Sequence, residues 1–123
     1  MRSLEEILQS TSDSLFPAER GRRIIAIDSR DSDGDTPLHV IARRGDVAAV
    51  SVLLAAGANP NAIGDMGETP LHVAIAKGSI QVVNALMRNG ARADIRSEFG
   101  DTGMERAMKK GSEFVRALRR GTK

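Results

Sequence analysis

Apolar residues recur with a helical spacing in two stretches of the chain. In each stretch, four apolar residues are spaced as i, i+3, i+6 and i+7. They are Val47, Val50, Leu53 and Leu54 in the first stretch and Ile80, Val83, Leu86 and Met87 in the second. This spacing puts the four side chains on one face of a helix. Because the second stretch repeats the first at a constant offset, the pattern predicts two equivalent amphipathic helices.

A shorter helix is predicted just before each of these. The two segments that predict it are GDTPLHVIARRGD, residues 34–46, and GETPLHVAIAKGS, residues 67–79. Thr36 and Thr69 are suited to cap a helix, and the proline after each fits the first helical position. Gly45 and Gly78 are suited to end it in a left-handed conformation. The predicted helices span residues 38–44 and 71–77, so the unit is a turn, a helix, a turn, a second helix and a loop.

A weaker third copy follows in the same register. The step that leads from Thr36 to Thr69 leads again from Thr69 to Thr102, within the segment GDTGMERAMKKGS. This copy lacks the proline, leucine and histidine of the other two, and its second predicted helix, residues 112–120, carries three arginines. Because the last unit of a stack has one face toward solvent, these changes are typical of a capping repeat.

These segments resemble the ankyrin repeat. TPLHVIA and TPLHVAIA, with GANPNA after the second helix, are similar to the family's T-P-L-H-x-A signature, and their offset is similar to its 33-residue period. The resemblance implies an all-α solenoid of stacked helix-turn-helix units with β-hairpin or turn tips, about three repeats in one domain. The predicted units are residues 31–63 (first repeat), 64–96 (second repeat) and 97–123 (C-terminal capping repeat).

Residues 1–30 resemble the family only weakly. Leu4, Ile7 and Leu8 predict a short amphipathic helix, and a second helix is predicted to begin at Pro17 and end near Ile25. We interpret this segment as a degenerate N-terminal capping repeat that lacks its hairpin. The alternative is a helical appendage that is not a repeat.

Composition fits a single protein domain. Hydrophobic residues make up 41% and charged residues 28% of the 123 residues, as in ordinary globular proteins. The chain has no cysteine, which excludes a disulfide framework and a thiolate metal site. The longest apolar stretch, residues 47–58, is too short to span a bilayer, and the N-terminal residues do not read as a secretion signal. We therefore predict a soluble, cytoplasmic monomer.

Candidate catalytic and metal-binding residues are few. His39 and His72 are the only histidines, and each is the H of TPLH. The resemblance implies a structural role for them, together with Thr36 and Thr69, in which each imidazole bonds the backbone of the neighbouring turn. Stacked repeats lie roughly 10 Å apart, which is too far for the two histidines to share one zinc ion.

Other chemical motifs are incomplete. The segment DSDGD, residues 31–35, begins like a calcium loop, but Thr36 and Ala42 stand where that loop needs glycine and glutamate. The chain has neither a glycine-rich phosphate loop nor a nucleophile elbow. The sequence therefore predicts a protein that is not an enzyme and that holds neither a metal nor a cofactor.

The resemblance implies that binding residues lie at the tips and at the outward ends of the first helices. The tips are acidic and the helix ends basic, in positions that we expect to carry little of the packing between repeats. The alternative is that these charges only pair with each other, for example Asp35 with Arg43 or Arg44. The predicted partner-binding residues are Asp33, Asp35, Arg43, Arg44, Asp65, Met66, Glu68, Lys77, Glu98, Phe99, Asp101, Lys109 and Lys110. Met66 and Phe99 are apolar and occupy equivalent positions, so we predict that they form the centre of the interface. The alternative is that they only pack against each other.

These features predict a module that binds another protein. Small ankyrin proteins include toxin-neutralising immunity proteins, and an acidic row of tips suits a basic toxin. The alternative is a nucleic-acid accessory factor, because residues 97–123 hold seven basic residues against four acidic ones. Without an aromatic stacking platform, the sequence favours the protein partner.

Overall fold

The computed structural model describes residues 3–11 and 26–121, and this part of the chain is helical. Its seven α-helices are α1 (Leu4–Ser10), α2 (Pro37–Arg44), α3 (Val47–Ala55), α4 (Pro70–Lys77), α5 (Ile80–Arg88), α6 (Gly103–Lys110) and α7 (Ser112–Gly121). This confirms the predicted all-α repeat architecture. The turns before α2, α4 and α6 are not β-hairpins, because the described residues contain one isolated bridge, Arg96 with Thr102, and no strand.

The first helix of each repeat begins at a capping threonine. Thr36 accepts a hydrogen bond from the backbone N–H of His39, and the His39 ring accepts one from the N–H of Thr36. Thr69 caps α4 in the same way. Helices α2 and α4 each begin one residue earlier than predicted, at the proline itself, because the fixed φ of proline suits the first turn. Gly45 and Gly78 end these helices in the left-handed conformation, with φ of 74° and 84°.

The helices form two layers. The first helices, α2, α4 and α6, stack in one layer, and the second helices, α3, α5 and α7, stack in the other. Most of the predicted apolar stripes are buried between them, including Val50, Leu53, Val83 and Leu86. Burying one such side chain stabilises the fold by about 1.5–3 kcal/mol. The stack is therefore held by aliphatic contacts within and between repeats.

The third copy leaves the repeat register halfway through. Helix α6 begins in register with α4, but α7 begins one residue too early for the register of α5. The cause is a shorter connection, because Gly111 alone joins α6 to α7, whereas two residues join α4 to α5. The buried Phe114 and Leu118 consequently take the places that Val82 and Leu86 hold in the second repeat. The sequence period alone did not show this deletion.

At the N-terminal end, α1 is the predicted amphipathic helix. Ser3 and Glu6 form a capping box in the same register as that of Thr36 and His39. Helix α1 packs mainly against α3, and the guanidinium at the end of α2, that of Arg44, donates hydrogen bonds of 3.0 and 3.1 Å to the last residue of α1. The predicted helix from residue 17 to residue 25 lies outside the described residues. The assignment of residues 1–30 as a repeat stays a prediction.

No helix in the described ranges combines the length and the apolar character that a membrane span requires.

Candidate protein-binding surface

Three tight turns precede the first helices and form the tips of the repeats. Tip 1 is residues 31–35, tip 2 is residues 64–68 and tip 3 is residues 97–101. In each, the N–H of the first residue donates to the carbonyl of the last, over 3.0, 2.8 and 2.8 Å. The glycine before the last residue of each tip has a positive φ, between 70° and 94°. The repeated glycine is therefore required by the turn itself.

Tips 1 and 2 are joined by a buried carboxylate. Asp35 is only 6% exposed; its Oδ1 accepts the N–H of Asp65 at 2.9 Å, and its Oδ2 pairs with Arg43 Nη2 at 3.2 Å. Arg30 adds a second link, because its Nη1 donates to the carbonyl of Gly34 in tip 1 and to the carbonyl of the residue before tip 2. The expectation that tip positions carry little of the packing between repeats is thus wrong for Asp35.

Tips 2 and 3 are joined by an arginine. Arg106 Nη1 lies 2.9 Å from Glu68 Oε2, and Arg106 Nε lies 2.8 Å from Asp101 Oδ2. The hydrogen bonds from Arg106 hold the pKa of Asp101 well below its usual range. Glu68 and Asp101 therefore also take part in packing between repeats, which corrects the same expectation for them.

Sequence reasoning missed the role of Arg106, although one signal was present. Val40 and Val73 hold the equivalent positions in the first two repeats, and both are buried. A charged side chain at a position that is otherwise buried and apolar indicates a partner of opposite charge nearby. Only the folded chain identifies that partner as the pair of carboxylates on tips 2 and 3.

The backbones of tips 2 and 3 are also in contact. The N–H of Glu98 donates to the carbonyl of Met66 over 2.9 Å. A Cβ on Gly67 would lie 2.9 Å from the Glu98 nitrogen, so a larger residue does not fit there. Met66 itself has a φ of 59°, a left-handed value that is uncommon for a residue other than glycine. The turn that carries Met66 is thereby fixed against tip 3.

Two apolar and three acidic side chains of the predicted set remain exposed on the tips. Met66 is 43% and Phe99 64% exposed, on adjacent tips. Asp33, Asp65 and Glu98 are exposed, and their carboxylates have neither a hydrogen bond nor an ion pair within the described residues. Of the acidic tip residues, these three are therefore available to a partner.

Three of the five basic helix-end residues reach toward the part of the stack that precedes their own repeat. Arg44 bonds the end of α1, Lys110 Nζ donates to the carbonyl of Ala76 over 3.3 Å, and Lys77 lies against Gly45. Lys109 is exposed and has no polar partner among the described residues. Three of the predicted basic residues already form hydrogen bonds within the chain, namely Arg43, Arg44 and Lys110.

His39 and His72 each bond their own capping threonine through Nδ1 and the next tip through Nε2, and so link neighbouring repeats. The N–H of Thr36 donates to His39 Nδ1, so Nε2 carries the proton and donates to the carbonyl of Glu68 over 2.9 Å. His72 bonds Thr69 and the carbonyl of Asp101, the latter over 3.1 Å, in the same manner. Burial lowers the pKa of His39, which favours the neutral ring.

The described residues contain no group of three or more His, Cys, Asp and Glu side chains that are placed to hold a metal ion.

Comparison with known proteins identifies the family. A family model described as ankyrin repeats (3 copies) matches residues 13–98, which is more than half of the chain. A search of curated proteins finds no match. The matched segment contains both TPLH motifs and ends at the start of tip 3. Ankyrin repeats generally mediate protein–protein interaction and are typically not enzymes. The chain belongs to the ankyrin repeat family.

Proposed function

We propose that this protein is a non-catalytic module that binds a partner protein through its tips and the ends of its first helices. The observation that supports this most directly is the exposure of Met66 and Phe99 on adjacent tips. Turn tips ordinarily carry small polar residues. Two large apolar side chains at equivalent positions of neighbouring turns form the centre of an interface in this proposal, since binding energy concentrates in such anchors.

The rigidity of tips 2 and 3 supports the same proposal. Arg106, the bond from Glu98 to Met66 and the close approach at Gly67 hold the two turns together before any partner is present. A preorganised surface loses little conformational entropy on binding. The affinity of the anchors is then not reduced by the cost of ordering two loops.

The chemistry of the tips favours a basic partner. Asp33, Asp65 and Glu98 lie on the tips that carry or adjoin the apolar pair, and their carboxylates are unpaired within the part of the chain that the structure describes. Such charges at the rim speed association with a positively charged surface and contribute less to final affinity. An inhibitor or immunity protein that covers the basic cleft of a toxin is the specific role that we propose on this basis.

Affinity capture with matched variants tests the proposal. The full chain and the double variant Met66→Ala/Phe99→Ala are immobilised and exposed to the native lysate. Gln81→Ala serves as the control, because Gln81 is exposed and lies on α5, in the layer of the second helices and outside the proposed surface. We expect one stoichiometric protein that the wild type and the control retain and the double variant loses.

Affinity for that protein gives the quantitative result. We expect the double substitution to weaken binding by about 2–4 kcal/mol, mostly through faster dissociation. Unchanged affinity in a well-folded double variant would move the interface away from the tips. If capture instead depends on nucleic acid and is lost on nuclease treatment, the nucleic-acid accessory role is favoured.

A further inference from the structure

A groove lies between the second helices of the second and third repeats. It has a volume of about 240 Å³ and is formed by α5 and α7. The five residues that line it are Asn84, Met87, Arg88, Ala117 and Arg120. None of them belongs to the tips or to the first helices. The groove is therefore separate from the surface to which we assign partner binding.

The groove combines two cations with an apolar floor. Arg88 and Arg120 occupy equivalent places near the ends of α5 and α7, and both are exposed. Neither guanidinium has a hydrogen bond or an ion pair within the described residues, and the Asn84 amide also lacks one. Met87 and Ala117 are almost buried and form the floor. The helix dipole favours a cation in the last turn of α5 and of α7. It does not account for the apolar groove that lies between the two arginines.

Carboxylates are suited to this arrangement. An arginine guanidinium binds a carboxylate through two parallel hydrogen bonds, and this geometry is specific. Because packed helices lie about 8–10 Å apart, the distance from Arg88 to Arg120 is expected to be similar. Two carboxylates at positions i and i+7 of a helix lie on one face and about 10.5 Å apart along its axis. An apolar residue at i+3 or i+4 of such a helix would lie over Met87 and Ala117.

We propose that the groove between α5 and α7 binds an acidic amphipathic helix of a partner protein. The partner helix would lie across the ends of α5 and α7, with its two carboxylates on the two arginines and its apolar residue inserted into the groove between them. A nucleic acid fits less well, because its phosphates would leave the apolar floor unused. The groove also lacks an aromatic side chain on which a base could stack.

Nuclear magnetic resonance titration of the full chain tests the proposal. The probe is a helical peptide of about 18 residues, with glutamates at i and i+7 and leucines at i+3 and i+4. At low salt, we expect its addition to shift the side-chain amide signal of Asn84 and the backbone signals of Met87 and Ala117. Absence of these shifts at millimolar peptide would overturn the proposal.

Charge-reversal variants distinguish the groove from general attraction. Arg88→Glu/Arg120→Glu is expected to weaken peptide binding by about tenfold or more. Arg116→Glu/Arg119→Glu changes the net charge equally on positions of α7 that do not line the groove, and it is expected to weaken binding by less than about threefold. Cooperative melting of each variant verifies that it is folded. Equal loss in both variants would show diffuse attraction and overturn the assignment.

Two further probes complete the test. A peptide with serine in place of the leucines is expected to bind more weakly, and equal binding would contradict a role for the apolar floor. A thymidine oligonucleotide of similar length is expected not to compete. If it displaces the peptide and binds more tightly through the same arginines, the groove is a nucleic-acid site and the proposal is wrong.

Discussion

The inner repeats and the C-terminal repeat solve the same capping problem with different side chains. In the inner repeats, His39 and His72 stand at the third position of the first helix, and in the last repeat Glu105 does. All three accept a hydrogen bond from the N–H of the capping threonine. The histidines use their second nitrogen to reach the carbonyl of the next tip, whereas Glu105 pairs with Arg96, which immediately precedes its own tip.

This difference separates two roles of the histidine: it caps its own helix, which is a local role, and it bonds the next repeat, which is a long-range one. A carboxylate is sufficient to cap a helix, as in any capping box. Bridging to the next repeat requires a neutral side chain with an acceptor at one end and a donor at the other, which imidazole provides. In the last repeat of the described chain, a donor at this position would find no carbonyl of a following tip to bond. In these three repeats, histidine therefore stands where the following tip supplies a carbonyl, and glutamate stands where the described chain has no following repeat.

Removing the last repeat is expected to have the largest effect. Deletion of residues 97–123 would expose the buried Leu71, Ile75 and Leu86 and remove the carbonyl that His72 bonds. A solenoid requires at least about three repeats for stability, so we expect aggregation or loss of cooperative unfolding in thermal melts followed by circular dichroism. A soluble fragment of residues 1–96 that melts cooperatively would show that residues 97–123 do not act as a cap.

Exchanging the two residue types tests the comparison directly. His72→Glu keeps the cap but leaves the Asp101 carbonyl without its donor, which costs roughly 1–3 kcal/mol, and it also buries a charge. We therefore expect a total loss of about 3 kcal/mol or more in the free energy of unfolding. Glu105→His, at an exposed position, is expected to change it by less than about 1 kcal/mol.

Urea denaturation of both variants measures the asymmetry. Replacing His72 by alanine separates the lost bond from the buried charge, and we expect a cost of roughly 1–3 kcal/mol with partner binding retained. Equal destabilisation by His72→Glu and Glu105→His would refute the distinction between bridging and capping.

Loss of Arg106 is expected to have an intermediate effect. Arg106→Val restores the residue type of the inner repeats but leaves Glu68 and Asp101 without their partner. Because the ion pairs are partly exposed, we expect a loss of about 1–2 kcal/mol in urea denaturation at neutral pH. The pKa of Asp101 should rise toward its ordinary value, which is measurable by carboxyl titration. A variant of unchanged stability would show that the link between tips 2 and 3 is dispensable.

Mild acidification is expected to have the smallest effect on the free energy of unfolding. Burial lowers the pKa of His39 below 6.5, so the unfolded chain binds more protons than the folded chain once the pH falls below about that value. Stability should therefore be constant above about pH 7 and decline below it, by at most about 1.4 kcal/mol per pH unit for one proton. The lowered pKa of Asp101 adds a second decline below about pH 4. Urea midpoints from pH 8 to pH 3 measure both steps, and His39→Gln should remove the first.

On the candidate surface, too, some features have local causes and others depend on the neighbouring repeat. The sequence correctly placed the acidic residues at tips, because a turn position follows from the spacing of glycine and threonine. It did not distinguish Asp35, which is buried, from Asp33, which is exposed only two residues away. Side chains in a turn do not alternate between buried and exposed with a simple period. The direction of each side chain therefore depends on the neighbouring repeat.

By itself, the sequence determined the repeat unit, the positions of its helices within a residue or two, the glycine turns and the family. These features depend on contacts between residues close in the chain, such as a threonine cap or an apolar stripe. Only the tertiary structure decided that Arg106 joins two tips, that Asp35, Glu68 and Asp101 serve packing, and that α7 is displaced by one residue. The contacts between tips join residues about one repeat or more apart, so their distance is set by how the repeats stack and not by their spacing along the chain. The displacement of α7 follows from where the folded chain turns between α6 and α7.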